Sequence, residues 1–87
     1  TGGSAFVYDE DNMFEKAVNP DNVVWQRIAS QYWESQCKDL IARHAEMTGS
    51  EFSASLLREW ELERRKFWQI VPKEMLTRLK HPLEDAA

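Results

Sequence analysis

The stretch from Leu56 to Met75, LLREWELERRKFWQIVPKEM, constrains the fold of this chain more than any other. Apolar residues recur through it and just before it at spacings of three, four and seven: Phe52, Leu56, Leu57, Trp60, Phe67, Trp68 and Val71. Such spacing is typical of one face of a helix. Ser50 is a candidate N-cap, and Pro72 should end the helix near Ile70 and open a short helix through Lys80. The pattern predicts helices over about residues 50–70 and 72–80.

A longer helix is predicted before this stretch. Asn19 followed by Pro20 is typical of a helix start, since Asn caps a first turn and Pro suits the first helical position. Apolar residues then recur at helical spacing as far as Thr48, and Gly49 is the expected stop residue. The short link between the two helices predicts an antiparallel αα-hairpin, with its first helix over about residues 20–48.

The N-terminal part has a different pattern. Ala5 to Asp9 is short, aromatic and β-branched, which is typical of a strand. A polar turn follows, in which Asn12 tolerates positive φ, and Met13 to Val18 could return as a second strand. The expected fold is therefore mainly α: a short N-terminal β-hairpin or strand pair, a long antiparallel αα-hairpin and a short C-terminal helix.

Composition narrows the possible partners. With 87 residues the chain forms one small domain. Its formal net charge of −4 argues against nucleic acid, because phosphate binding needs a basic face. No apolar run approaches the roughly 20 residues of a membrane-spanning helix. Cys37 is the single cysteine, so no internal disulfide can form, which fits a reducing, cytoplasmic location.

A search for reactive groups finds no catalytic, cofactor-binding or metal-ligating set. Cys37 and His44 are seven residues apart on a predicted helix, about 10 Å by the helical rise, which is too far for a nucleophile and its base. A zinc site would need further ligands. The aromatic residues form either a core or an interface, since tryptophan is enriched in both. We expect packing anchors at Trp60, Phe67, Trp68 and Ile70, with Trp25 and Trp33 facing them.

Three stretches also carry a family resemblance. They are GGSAFVYDEDNMFEKAVN at Gly2–Asn19, the helix-like segment that opens VVWQRI at Val23 and closes in TGS at Thr48–Ser50, and FWQIVPKEM at Phe67–Met75. Together they resemble the C-terminal end of the large (alpha) subunit of bacterial NADPH-dependent glutamate synthase. The FWQIVPKEM run with the leucine after it is the most specific part.

The resemblance implies an origin for each part of the chain. The family's C-terminal domain is a right-handed β-helix of Gly-rich repeats followed by a helical tail. Residues 1–19 would be remnant strands of that β-helix, with Thr1–Gly3 from the last repeat, and residues 20–87 would be the helical tail.

The resemblance also implies a role. The family enzyme transfers the amide nitrogen of glutamine to 2-oxoglutarate, giving two glutamates. It uses FMN, an iron–sulfur cluster and NADPH electrons delivered by a small subunit. None of its reactive residues can be placed here: Cys37 is not an N-terminal nucleophile, and one cysteine cannot hold a cluster.

The expected role is therefore a non-catalytic structural segment that packs against other domains of the large subunit and could self-associate when isolated. The alternative is a free-standing helical interaction module that binds a partner through its aromatic face. A third hypothesis is that the chain is a small enzyme. It would need a group of titratable side chains close together in a pocket.

Overall fold

The computed structural model describes residues 4–85, so the predicted remnant at Thr1–Gly3 lies outside the described residues. The chain contains three strands, with one helix between β1 and β2 and a run of helices between β2 and β3. The strands are β1 (Ala5–Tyr8), β2 (Val23–Arg27) and β3 (Phe67–Pro72). The helices are α1 (Phe14–Ala17), α2 (Gln31–Thr48), α3 (Glu51–Arg58) and α4 (Trp60–Glu63), with 3₁₀ segments at Arg64–Lys66 and Lys73–Arg78.

The three strands form one antiparallel sheet in the order β1-β3-β2. β3 is the central strand and pairs with β1 through Tyr8 opposite Phe67, and with β2 through Trp25 opposite Ile70. Directly opposed residues on antiparallel strands lie on the same face of the sheet. The register therefore assigns each strand residue to one of two faces.

β3 is buried because both its edges are paired and its inner face is covered. Phe67, Gln69 and Val71 point to the inner face and are 5%, 0% and 1% exposed. Trp68 and Ile70 alternate with them and point to the outer face. Aromatic and β-branched residues suit such a pleated position, and Pro72 stands at the strand end, where its missing N–H is tolerated.

Helices α2 and α3 cover the inner face. The Ser30 hydroxyl caps α2 by accepting from the Trp33 N–H, and the Ser50 hydroxyl caps α3 by accepting from the Ser53 N–H. Gly49 ends α2 with φ of 66°, a conformation that glycine adopts without steric cost. The core joins both helices to β3: Cys37, Leu56, Trp60 and Phe67, with Phe6, Tyr8, Ile28 and Ile41 packed around it.

The predicted helix over residues 50–70 is wrong beyond Lys66. The chain is helical in three short segments, and the last four residues of the range enter β3. The apolar run at residues 67–71 also suits a strand that is buried on both faces, and sheet pairing on both edges selects the strand. The helix predicted over 72–80 is a 3₁₀ helix from Lys73 to Arg78, and Pro72 belongs to the strand before it.

The predicted helix over residues 20–48 begins eleven residues later than expected, at Gln31. Val23 to Arg27 form β2 instead, because Val and Trp side chains fit beside β3. The Asn19 carboxamide does bind a backbone N–H, that of Asp21 at 3.0 Å, but it closes a turn rather than capping a helix.

The predicted return strand at residues 13–18 is also wrong, since Phe14–Ala17 form α1. The Asp9 carboxylate accepts from the N–H groups of Met13 and Phe14, at 2.9 and 3.1 Å, and this favours a helical turn. Asn12 has the positive φ expected of it, 56°. Residues 4–85 are 52% helical and 21% strand, and they form a helix-covered three-stranded sheet rather than a mainly α fold with a long αα-hairpin.

The division into residues 1–19 and 20–87 stays a prediction. Strands from both parts lie in the same sheet, because β1 and β2 both pair with β3. Any difference in origin between the two parts is therefore not visible as a structural boundary in residues 4–85.

We predict that Leu56→Ala lowers the free energy of unfolding by about 2–5 kcal/mol, because it opens a cavity in the core. Leu62→Ala is the matched control, since Leu62 is 59% exposed while Leu56 is 6% exposed. The control should stay within about 0.5 kcal/mol of the wild type. Urea unfolding monitored by tryptophan fluorescence measures both, and equal losses would contradict the core assignment.

Candidate functional site

The residues expected as packing anchors lie in three different places. Phe67 and Trp60 lie in the core beneath the inner face, whereas Trp68, Trp25 and Ile70 lie on the outer face. Trp33 packs at the junction of α2, β1 and the C-terminal tail. Four of the six are buried and Trp25 and Ile70 are half-buried. They therefore do not form one continuous aromatic face.

The inner cluster links β1, α4 and β3. The Phe67 ring lies 5.7 Å from that of Trp60 and 5.1 Å from that of Tyr8, centroid to centroid. The Tyr8 hydroxyl donates a hydrogen bond to the Glu63 carboxylate, which also accepts from Lys66 at 3.2 Å. Burial and the neighbouring Glu63 raise the pKa of the Tyr8 phenol well above its ordinary range. Tyr8 is thus a hydrogen-bond donor that stays protonated.

Trp33 connects the helical layer to the C-terminal tail. Its indole N–H donates to the Pro82 carbonyl at 3.0 Å, and its ring lies 6.4 Å from that of Phe6. The neighbouring Tyr32 ring stacks on the His81 ring with centroids 3.6 Å apart. Trp33 is 2% exposed, so these contacts close the end of the core.

On the outer face, a buried carboxylate organises the surroundings of Trp68. The Trp68 indole N–H donates to Asp9 Oδ2 at 2.8 Å, and the Arg27 guanidinium lies 3.7 Å above the Trp68 ring. Arg27 Nη2 also donates to Asn12 Oδ1 at 3.0 Å. We call Asp9, Arg27 and Trp68 the outer cluster. It ties β1, β2 and β3 to the turn before α1.

The outer cluster changes the acidity of Asp9. Burial raises the pKa of the Asp9 carboxyl, but the hydrogen bonds from Trp68, Met13 and Phe14, together with the Arg27 charge, outweigh it. The net effect lowers the pKa below its usual value of 3.8. Asp9 therefore remains ionised at neutral pH, as a structural acceptor of three hydrogen bonds.

Beside the outer cluster lies a row of apolar side chains, Ala5, Ile70 and Trp25, which we call the outer row. The register places these three side by side across the sheet. Ala5 is exposed, and Ile70 and Trp25 are half-buried. Phe14 of α1 reaches Trp25 and Trp68, with ring centroids 6.4 and 6.0 Å apart. Helix α1 thus covers only part of the outer face.

The reactive residues weighed from the sequence do not come together. Cys37 is 1% exposed, whereas His44 lies exposed further along α2. Burial, and then the charge of Glu34, raises the pKa of Cys37 to about 12, so its thiol stays protonated. Among residues 4–85, no group of three or more His, Cys, Asp or Glu side chains could hold a metal ion.

Sequence reasoning missed Asp9, Arg27 and Gln69. The first two are polar residues that support Trp68, and Gln69 is buried with its Nε2 donating to Ser4 Oγ at 3.0 Å. The one local signal was the position of Asp9 at the start of the polar turn before α1, where Asp side chains often accept hydrogen bonds from nearby backbone N–H groups. The described part of the chain contains no helix that is long and apolar enough to cross a membrane.

Comparison with known proteins relates the chain to one family. The sequence model for the GXGXG motif matches residues 1–73. The large chain of NADPH glutamate synthase from Azospirillum brasilense is 48% identical over 79 residues, in its C-terminal region, which is 91% of this chain. Ferredoxin-dependent glutamate synthases from Oryza sativa and Pyropia yezoensis are 44% and 42% identical over 83% of this chain. The chain spans only 4–5% of the length of these relatives.

We predict that Trp68→Ala lowers the free energy of unfolding by about 3–5 kcal/mol, because the ring fills the outer cluster and its N–H satisfies Asp9. Trp25→Ala should cost less, since that ring is half-exposed. Chemical unfolding measures both losses. A near-unchanged urea midpoint for Trp68→Ala would contradict the burial of this ring in the outer cluster.

We also predict that Asp9→Asn destabilises the chain at pH 7 but not in acid. The folded-state pKa of Asp9 is lowered, so its carboxylate stabilises the fold above the unfolded value near 3.8. That contribution is lost as the pH falls through the folded pKa. The unfolding midpoints of wild type and Asp9→Asn should therefore converge below about pH 4. Asp11→Asn, at an exposed position, is the control and should match the wild type throughout; a constant Asp9→Asn deficit at every pH would contradict the role of the charge.

Proposed function

This chain belongs to the GXGXG motif family, and on that premise we propose that it is a non-catalytic structural segment at the C-terminal end of a glutamate synthase large subunit. Its 48% identity to the C-terminal region of the Azospirillum large chain bears out the resemblance carried by FWQIVPKEM. In this proposal the segment packs against other domains of the same large subunit.

The chemistry then belongs to the rest of the polypeptide. The proposed parent activity converts glutamine, 2-oxoglutarate and NADPH to two glutamates, with FMN and an iron–sulfur cluster. We propose NADPH as its electron source because identity is higher to the NADPH enzyme, 48%, than to the ferredoxin-dependent enzymes, 44% and below. This segment would act in the cytoplasm as a stable structural element that packs against neighbouring domains and stabilises them.

One observation carries the proposal: the outer row offers an apolar surface on the central strand. β3 lies in the middle of the sheet and is paired on both edges, so its outer face is a preformed surface. Burying apolar area is worth roughly 25 cal/mol per Å². A domain that covered Ile70 and Trp25 would gain this energy without reordering the sheet.

The alternative, a free-standing module that binds a separate partner, would use the same surface. The two proposals differ in the length of the native polypeptide. An immunoblot of source cells with antibody against this chain should show a band far above 10.2 kDa. A band near 10 kDa would overturn the proposal and favour the free-standing module.

We predict that Ile70→Thr weakens packing of the segment in the long polypeptide more than it weakens the segment itself. Threonine keeps the β-branch that suits a strand but replaces part of the apolar surface with a hydroxyl. Limited proteolysis of the full-length polypeptide should release the C-terminal segment several-fold faster in Ile70→Thr.

Met47→Thr is the control for this test, because Met47 is 85% exposed near the end of α2 and away from the outer row. It should be cleaved at the wild-type rate. Equal cleavage rates for Ile70→Thr and wild type would contradict the proposed packing surface.

A further inference from the structure

The two edges of the sheet differ in what lies beside them. Beside β2 lies the C-terminal tail: Gln26 Nε2 donates to the Leu83 carbonyl at 3.2 Å, and Ala29 forms a parallel bridge with Glu84. The Gln31 N–H donates to Asp85 Oδ2 at 3.1 Å. The tail therefore covers the region where β2 ends.

At the other edge, β1 pairs only with β3 among the residues that the structure describes. The Asp9 N–H donates to the Lys66 carbonyl at 2.8 Å, so it points towards β3. Successive residues of a strand direct their N–H groups to opposite edges. The N–H and C=O groups of Phe6 and Tyr8 consequently point away from β3, to the open edge.

The sequence of β1 does not protect this edge. Exposed edge strands usually carry charges, a proline or a bulge that discourages further pairing. β1 is short, at four residues, but its sequence AFVY carries no charge and no proline. Such an edge favours the addition of another strand.

A groove lies next to this edge. Its volume is about 430 Å³, and it is lined by β1, β3 and both long helices, chiefly through Phe6, Phe67, Leu40, Ile41, His44 and Ser53. Among residues 4–85, no Asp, Glu, Lys or Arg lines it. An uncharged, apolar side chain is therefore the complementary occupant, since a charge there would be partly desolvated without a partner.

We propose that an extended, uncharged segment from elsewhere in the same long polypeptide pairs with β1 as a fourth strand and places an apolar side chain in the groove. The proposal rests on the proposed function, because the relatives extend about twentyfold beyond the 79 residues matched here. The backbone groups of Phe6 and Tyr8 supply the strand pairing. The groove selects every second side chain of the added strand, because alternate residues face the helices.

A second copy of this chain fits the edge less well. If two β1 strands paired, the inner-face residues would be Phe6 and Tyr8 from each copy. Those rings already pack in their own core, where Phe6 contacts Trp33 and Tyr8 contacts Phe67. They could not also fill the groove of a partner copy.

Hydrogen exchange of single amides in the full-length polypeptide tests the added strand. The Val7 N–H points to β3 and serves as the internal reference for a paired amide. We expect the Phe6 and Tyr8 amides to exchange about as slowly as Val7. Free exchange of Phe6 and Tyr8 beside a protected Val7 would overturn the proposal, as would protection that disappears on dilution, which would indicate a second copy.

A pair of matched variants separates the groove from general destabilisation. Leu40 is 39% exposed and lines the groove, whereas Leu62 is 59% exposed and does not. In the full-length polypeptide, Leu40→Lys should speed exchange at Phe6 and Tyr8 by about tenfold or more and leave Val7 unchanged. Leu62→Lys should change none of the three, and unchanged exchange in Leu40→Lys would overturn the role of the groove.

The two proposals fail in different ways. If cells contain only a 10 kDa species, the proposed function is overturned. The fourth strand is then overturned as well, because no long polypeptide exists to supply it. If the long polypeptide exists but its Phe6 and Tyr8 amides exchange freely, only the fourth strand is overturned.

Discussion

The hydrogen bonding of β3 to both its neighbours is the interaction on which the rest of the structure depends. Within residues 4–85, neither β1 nor β2 has another strand to pair with. The six residues of β3 contribute to both faces of the sheet. Phe67 and Val71 are buried in the inner core, and Trp68 belongs to the outer cluster. Helices α2 and α3 pack on a surface that exists only because this strand joins the other two. On the inner face of this strand, Gln69 is fully buried and its Nε2 donates a hydrogen bond to Ser4 Oγ.

Some local signals in the sequence predicted local structure correctly. The strand at Ala5–Tyr8, the stop at Gly49 and the cap at Ser50 were all expected, and all depend on a few adjacent residues. Phe67–Pro72 and Val23–Arg27 were misassigned because their conformation depends on pairing with distant residues. Phe67, Trp68 and Val71 fit the spacing of a helix face, but they also fit a short apolar run in a strand buried on both faces, and only the partner strands decide between the two. The predicted fold therefore failed where helices were expected to extend into residues that form β2 and β3.

For the packing residues, burial was predictable from the sequence but spatial arrangement was not. Large aromatic residues are conspicuous in a sequence, and Trp33, Trp60, Phe67 and Trp68 are indeed buried. Their arrangement was not predictable, because the expected single face becomes two faces of a sheet once β3 forms. Asp9 was missed since its role depends on Trp68, 59 residues away, and on a charge from β2. Polar residues that stabilise a fold through distant partners leave little trace in local spacing.

The register of β1 with β3 has a consequence for how this region is made. Ala5 pairs with Ile70, so the sheet closes a loop of more than sixty residues. Closing such a loop lowers the entropy of the chain before the strands gain any pairing energy, and this slows folding. During synthesis, β1 and β2 leave the ribosome well before β3. They remain unpaired until β3 has also emerged. Their aromatic side chains are exposed in that interval, so this part of the polypeptide is most vulnerable to aggregation just before its last strand emerges.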